Sequence, residues 1–369
     1  MMSTRFFITA LAALACTGAL AQDKWLIGQS APLTGGNARF GNDVRDAAAA
    51  MFAQINAAGG VAGKAVELIT LDDGNDRKKA GANTTVLLKE REVMALYGYG
   101  SATLSLDALP QAETARVPFF APFSGAVPVR TKSPVLFTVR ASYAEEMERM
   151  LNFWTQLGMK RVTVVHYDDE VGKQNLAVVV GYLKKLDLAP QAFAIQRNAH
   201  LGAADVQRLL DQRPEVLMNT VLSGPAGQIA KGIAAKGLFI PTSSLSFVGA
   251  EQFIQAGGAA SAGVSIAQVV PSPGSSIAAV QNCARALRDA GVKSAMNTTH
   301  LEACFGAQIL AEGIRRARKP LTPQTLREAL SNLGTFDLGG FKVTFAPGSH
   351  HGSSFVELAM VTRDGKMIR

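Results

Sequence analysis

Residues 24–76 read KWLIGQSAPLTGGNARFGNDVRDAAAAMFAQINAAGGVAGKAVELITLDDGND. A short apolar run from Trp25 gives way to an Ala-rich stretch of helical period that stops on Gly59-Gly60, and a second apolar run ends at Asp72-Asp73-Gly74. Strand, Gly-capped helix and strand in that order form a βαβ unit with parallel strands. The pattern predicts strands at about 24–30 and 64–72 around a helix at about 41–58.

The alternation continues in both directions along the chain. It predicts strands at about 93–98 and 117–122 with helices at about 76–90 and 103–116. After Arg140 it starts again, with strands near 161–167, 188–196, 215–221, 238–247 and 263–270 and helices near 142–157, 171–186, 202–212 and 223–236. Repeated βα alternation means mostly parallel sheets flanked by helices, here in two units. Amphipathic helices follow at about 275–290, 298–318 and 322–332, the last opened by Thr322-Pro323, a cap followed by proline at the first helical position. The tail runs 341–345 and 355–362 read as antiparallel strands that finish the sheet.

The first residues have a different character. Arg5 precedes an apolar run from Phe6 to Leu20 and then Ala19-Leu20-Ala21, a small-x-small cleavage pattern, so residues 1–21 read as a signal peptide cut near Ala21. The competing reading makes Cys16 a lipid-modified first residue, although Ala13-Leu14-Ala15 lacks the leucine usually found three positions ahead. Either way the product is exported, and no later run has the ~20 apolar residues that span a bilayer. With 48% apolar and 18% charged residues and a net charge of +8, disorder and collagen are excluded. Dispersed basic residues give no nucleic-acid footprint. Cys283 and Cys304 remain after the leader, and an oxidising compartment leaves two readings open, a disulfide or two buried thiols.

Catalytic and cofactor motifs are absent from the sequence. The turn after the first strand lacks both G-x-G-x-x-G and G-x-x-x-x-G-K-[ST], and Asp72–Asp76 does not match a calcium loop but suits a polar turn with Asp76 as helix cap. The five histidines sit in neither G-x-S-x-G nor H-E-x-x-H, so no catalytic residue, metal or cofactor is expected. Tyr97-Gly98-Tyr99-Gly100-Ser101-Ala102-Thr103 is more informative, because it ends a strand and opens a helix. Free N–H groups and the positive dipole end there suit a carboxylate, with the Ser101 and Thr103 hydroxyls as further donors. Pro122-Phe123-Ser124-Gly125-Ala126 offers a second hydroxyl-bearing turn at the same sheet edge. A plain capping role for Ser101 or Thr103 stays open alongside.

Taken in order, IGQSAPLTGG with RFG, INAAGGVAGK, LDDGND, YGYGSAT, VPFFAPFSGA, FTVRASYAEE at 137–146 and RVTVVHYDDEVGK at 161–173 resemble the periplasmic solute-binding proteins of ABC importers, branched-chain amino acid (Leu/Ile/Val) type, across the whole mature chain. The resemblance implies a two-lobed type I periplasmic binding protein fold. It implies lobes of about 23–140 plus 272–344 and 141–271 plus 345–369, joined by three hinge crossings. It further implies a non-catalytic, monomeric periplasmic protein that binds a small amino acid or carboxylate and hands it to ABC permease subunits. The family's carboxylate-binding positions correspond to Ser101, Ala102 and Thr103 and to Phe123, Ser124 and Gly125, and an aromatic wall residue to Phe40.

In the second lobe the sequence departs from the amino-acid pattern. Positions where amino-acid binders carry tyrosines and an acid for the ammonium correspond here to Val171, Leu222 and Ser246 or Phe247. A buried ammonium without a carboxylate is costly, so a ligand without an α-amino group is one reading. Asp168, Asp169 or Glu170 supplying the acid is the other. A sensor that presents the same ligand to a receptor fits the same fold, whereas an exported enzyme would need a nucleophile with a base or a metal cluster.

Overall fold

The computed structural model describes residues 24–197 and 200–369; the expected leader, its cleavage site and Cys16 lie outside the described residues. Five parallel strands form the first sheet: β1 (Trp25–Ala31), β2 (Val66–Asp72), β3 (Ala95–Tyr97), β4 (Phe119–Phe120) and β5 (Leu136–Phe137), in the order β2-β1-β3-β4-β5. Helices α1 (Ala38–Ala57), α2 (Arg77–Lys89) and α3 (Ala102–Ala115) connect them. The Ala-rich pattern of α1 places Val44, Ala47, Ala48, Met51 and Phe52 on one buried face, the spacing that a helix laid on a sheet requires.

The second sheet has seven strands. Parallel β6 (Val162–Tyr167), β7 (Gln191–Ile195), β8 (Val216–Asn219), β9 (Thr242–Ser244) and β10 (Val264–Gln268) are extended at one edge by antiparallel β13 (Glu357–Val361) and β14 (Met367–Ile368). Helices α4 (Tyr143–Gln156), α5 (Glu170–Lys184), α6 (Ala203–Asp211), α7 (Ser223–Ala234) and α8 (Ala250–Gly257) accompany it. β6 is buried at every position, Thr163 and His166 included, so both of its faces are covered and its sequence does not alternate apolar with exposed polar residues. Helices α9 (Ala278–Asp289), α10 (Thr298–Arg316) and α11 (Pro323–Ser331) return the chain to the core of α1.

Three expectations need correction. The run 341–345 does not finish the sheet: β12 (Lys342–Phe345) pairs with β11 (Gly334–Asp337) in a separate hairpin. The Asp337 carboxylate accepts the N–H groups of Gly339 and Gly340, both at φ +99, and this closes the turn while Val343 and Phe345 face the first core. The strand expected over 238–247 shrinks to β9, because Leu238 and Phe239 are exposed and Pro241 has no N–H to give a ladder. Helix α8 was not foreseen at all.

The chain passes between the sheets at adjacent places. Thr138 N–H donates to His350 O at 2.9 Å and Gly352 N–H donates to Thr138 O at 2.7 Å, so the crossings after β5 and before β13 run side by side. The third crossing follows β10 at 269–272. Cys283 on α9 and Cys304 on α10 are fully buried and disulfide-bonded, with Cα atoms 5.7 Å apart.

Candidate functional site

Between the two sheets lies a cleft of about 720 Å³, built where strand C-terminal ends meet helix N-termini. Such an edge collects unpaired N–H groups. At the start of α3, Ser101 is the N-cap and its Oγ accepts the Leu104 N–H at 3.2 Å, which leaves the hydroxyl hydrogen to donate. The Ala102 and Thr103 N–H groups and the exposed Thr103 hydroxyl have no hydrogen-bond partner among the described residues. Gly100 permits this arrangement: a Cβ there would stand 2.8 Å from the Phe40 ring.

The second turn stands beside the first. Ser124 is buried, its Oγ accepts the Ala126 N–H at 3.2 Å, and it shares a hydrogen bond with the Tyr143 side chain. Phe40 and Phe123 meet edge to face at 5.6 Å and form the apolar wall. Phe40, Ser101, Ala102, Thr103, Phe123 and Ser124 therefore share one surface of the cleft. Gly125 does not line it. Its carbonyl accepts the Tyr143 N–H at 2.7 Å and a Cβ would fall 2.7 Å from that ring, so its place is behind Tyr143 and the absent side chain is what admits the ring.

The facing wall belongs to the second sheet. Val171 and Leu222 line it near the starts of α5 and α7, and the Leu222 N–H donates to Tyr167 Oη at 3.1 Å. The nearby acids are engaged: Asp169 caps α5 through the Gly172 N–H at 2.9 Å and pairs with Arg197, Asp168 pairs with Lys173 at 3.1 Å, and Glu170 accepts from Gln174 at 3.0 Å. Backbone and arginine bonds hold the Asp169 carboxyl below the usual carboxylate range despite the burial that opposes them. Ser246 lines the cleft but spends its polar atoms on Glu146, its N–H reaching Oε2 at 2.7 Å and its Oγ reaching Oε1 at 2.8 Å.

Several cleft residues escaped the sequence reading. Arg140 lies buried on the crossing into α4, paired with Glu146 at 3.3 Å and Glu302 at 3.7 Å and touching Ser246. Burial pushes the carboxyls of Glu146 and Glu302 upward, and the Arg140 charge opposes that. Two tyrosines, Tyr143 and Tyr167, line the cleft although the anticipated tyrosine positions are Val171 and Leu222. Arg140 and Tyr143 sit inside the FTVRASYAEE segment, so their place at a crossing was the available signal; Glu302, on a long amphipathic helix, carried none.

The turn Asp72–Asp76 is structural. One Asp72 oxygen accepts the N–H groups of Leu33, Thr34 and Gly74, the other accepts from the Thr34 hydroxyl at 2.6 Å, and these bonds hold the carboxyl down at about 2. Asp76 caps α2 through the Lys79 N–H at 2.9 Å. Together they tie the β1 and β2 ends and fix the loop that leads to Phe40.

The family profile described as periplasmic binding protein matches residues 24–366. The chain belongs to that family. Its relatives are substrate-binding proteins rather than enzymes, and membership implies export to the periplasm. A solved substrate-binding periplasmic protein from Ralstonia solanacearum is 29% identical, with a TM-score of 0.84 over 93% of this chain and 99% of that one. A structure described as a possible leucine/isoleucine/valine-binding protein from Rhodopirellula baltica superposes at a TM-score of 0.87 over 94% and 97%, with 24% identity, a likeness of fold. An amino acid binding protein from Pseudomonas aeruginosa is 24% identical over 246 residues, and the match spans 64% of this chain and 66% of that protein. Two lobes of parallel sheet flanked by helices, facing each other across a cleft, are the type I periplasmic binding protein architecture.

Proposed function

We propose that the chain is the solute receptor of an ABC importer, capturing a small amino acid or carboxylate between its lobes and presenting it to the membrane permease. The observation that carries this reading is the open donor set at the α3 start: two N–H groups with no partner among the described residues, the Thr103 hydroxyl and buried Ser124 converge on the cleft beside the Phe40–Phe123 wall. A carboxylate would complete those donors, and an apolar body would cover the rings. Phe40, Ser101, Ala102, Thr103, Phe123 and Ser124 form the first-lobe side of the site. Val171 and Leu222 form the other, with Ser246 acting through Glu146.

The lobes are about 24–140 with 272–352 and 141–271 with 353–369, the last boundary lying later than the expected 344/345 because Phe345 completes β12 and packs in the first core, and they close by hinge bending at the paired crossings near Thr138 and Gly352. Arg39 on α1 pairs with Glu251 on α8 across the cleft mouth, an exposed contact suited to a closed state that opens at little cost. The mature protein begins after Ala21 and works as a monomer without cofactor or metal. A thermal-shift screen against amino acids, aliphatic and aromatic carboxylates and small amides tests the reading. A compound at 100 times its Kd stabilises by about 2.7 kcal/mol. No shift with any amino acid or carboxylate would refute it.

A further inference from the structure

The acids around Arg140 are unequally satisfied. Glu146 Oε1 takes the Ser246 hydroxyl at 2.8 Å and Arg140 at 3.3 Å, and Oε2 takes the Ser246 N–H at 2.7 Å, which uses both oxygens. Glu302 has only Arg140 Nη1 at 3.7 Å, beyond hydrogen-bond reach, and accepts no hydrogen bond among the described residues. Its side chain is nine-tenths buried, yet it lines the cleft, with Thr298 and Thr299 one turn earlier on the same face of α10.

Two carboxylates therefore face the Arg140 guanidinium, with Arg130 close by, and Glu302 is the acid whose oxygens hold no hydrogen bond among the described residues. A buried carboxylate without hydrogen bonds is costly, and a cation arriving from the cleft would remove the cost. Burial raises the Glu302 carboxyl, and the Arg140 charge opposes it. The other acids of the cleft are committed: Asp169 to the α5 cap and Arg197, Glu170 to Gln174.

We propose that Glu302 accepts the cationic amine of the cleft's ligand, so that the solute is an amine-bearing carboxylate held by its carboxylate at the start of α3 and by its amine at α10. This rests on the reading of the cleft as the ligand site. It assigns the ammonium to an acid of the first-lobe helix α10, which explains how the second-lobe positions Val171 and Leu222 can be apolar without the amine being abandoned. Arg140 then positions Glu302, held from its other side by Glu146.

The test is titration calorimetry on wild type, Glu302→Gln, Glu302→Asp and Thr103→Ala, using each common L-amino acid paired with its desamino carboxylate, for example L-leucine with 4-methylpentanoate and L-phenylalanine with 3-phenylpropanoate. Wild type should prefer the amine-bearing member of its best pair by about tenfold or more. Glu302→Gln should erase that preference while changing the desamino affinity by less than about threefold, and Glu302→Asp should keep part of it. Thr103→Ala should weaken both members together. Equal wild-type affinity for both members, or a Glu302→Gln variant that weakens both alike or neither, overturns the Glu302 assignment and leaves the cleft standing. Unchanged affinities in Thr103→Ala overturn the cleft reading, and absence of binding by every pair overturns both. Melting of each variant without ligand separates a folding defect from lost recognition, and Glu302→Asp keeps the test decisive if the glutamine variant folds poorly.

Discussion

Removing the bridge between Cys283 and Cys304 by changing both to alanine should destabilise the folded chain by about 3 kcal/mol. The two positions are separated by 21 residues, and α9 and α10, which they join, pack with α1 in the first core. Chain-entropy theory gives a loss of denatured-state freedom of about 11 cal/mol/K for a closed loop of that length, or about 3.3 kcal/mol at 25 °C. Spread over a chain or lobe of this size, that corresponds to a fall in Tm of about 5–10 °C. The assay is urea unfolding followed by circular dichroism, with midpoint and slope read together, because freeing the unfolded chain of its cross-link lowers the midpoint and, by expanding the denatured state, steepens the slope. Titration of thiols in denaturant should find none in wild type. A shift below about 1 kcal/mol, or two free thiols in protein taken from an oxidising compartment, would refute the reasoning, since a bridge of this span closed in the native state must constrain the unfolded chain.

Other outcomes follow from the site and the core. Thr103→Ala should leave the melting of the unliganded protein within about 0.5 kcal/mol, because the hydroxyl has no hydrogen-bond partner among the described residues, yet weaken ligand binding by about 1–3 kcal/mol. Ser124→Ala should lower both, since Ser124 also receives the Ala126 N–H, and comparing melts with titrations distinguishes the two. His300 is buried beside Asp43 at 3.4 Å and burial holds its pKa below the usual 6.5. The unfolded chain therefore takes up the proton first, so this contribution to stability is whole above about 6.5 and is lost as the pH falls from there toward the lowered folded value. Tm measured at pH 7.5 and 5.5 should fall less on acidification in His300→Asn than in wild type. Gly172→Ala should destabilise by about 1–3 kcal/mol or more, because its Cβ would stand 2.0 Å from the Tyr167 carbonyl oxygen where β6 turns into α5; a melting curve equal to wild type would contradict that packing.

The α/β alternation was legible wherever a run carried its own period. The Ala-rich face of α1, the buried run of β6 and the Asp76 and Thr322 caps were all readable from local spacing. Elements set by tertiary contact were not. β4 and β5 are two residues each, too short to show a period, and β12 alternates like any edge strand, so its partner could not be read from its own residues. The same division holds at the site. Ser101, Thr103 and Ser124 stand on glycine-marked turns after strands, where local chemistry announces a ligand edge. Arg140, Tyr143 and Glu302 reach the cleft only because a crossing, α4 and α10 meet there. A glutamate one turn after Thr298 reads as solvated helix face until Arg140 arrives from a distant part of the chain.

The most direct measurement is a crystal structure of the mature protein grown with the compound that shifts its melting most. Density for that compound should fill the cleft between the sheets, with its carboxylate within hydrogen-bond distance of the Ala102 and Thr103 N–H groups and the Ser124 hydroxyl, and its apolar part against Phe40 and Phe123. A compound bound outside the cleft, or seated in it with no polar contact to the start of α3, would contradict the proposed site.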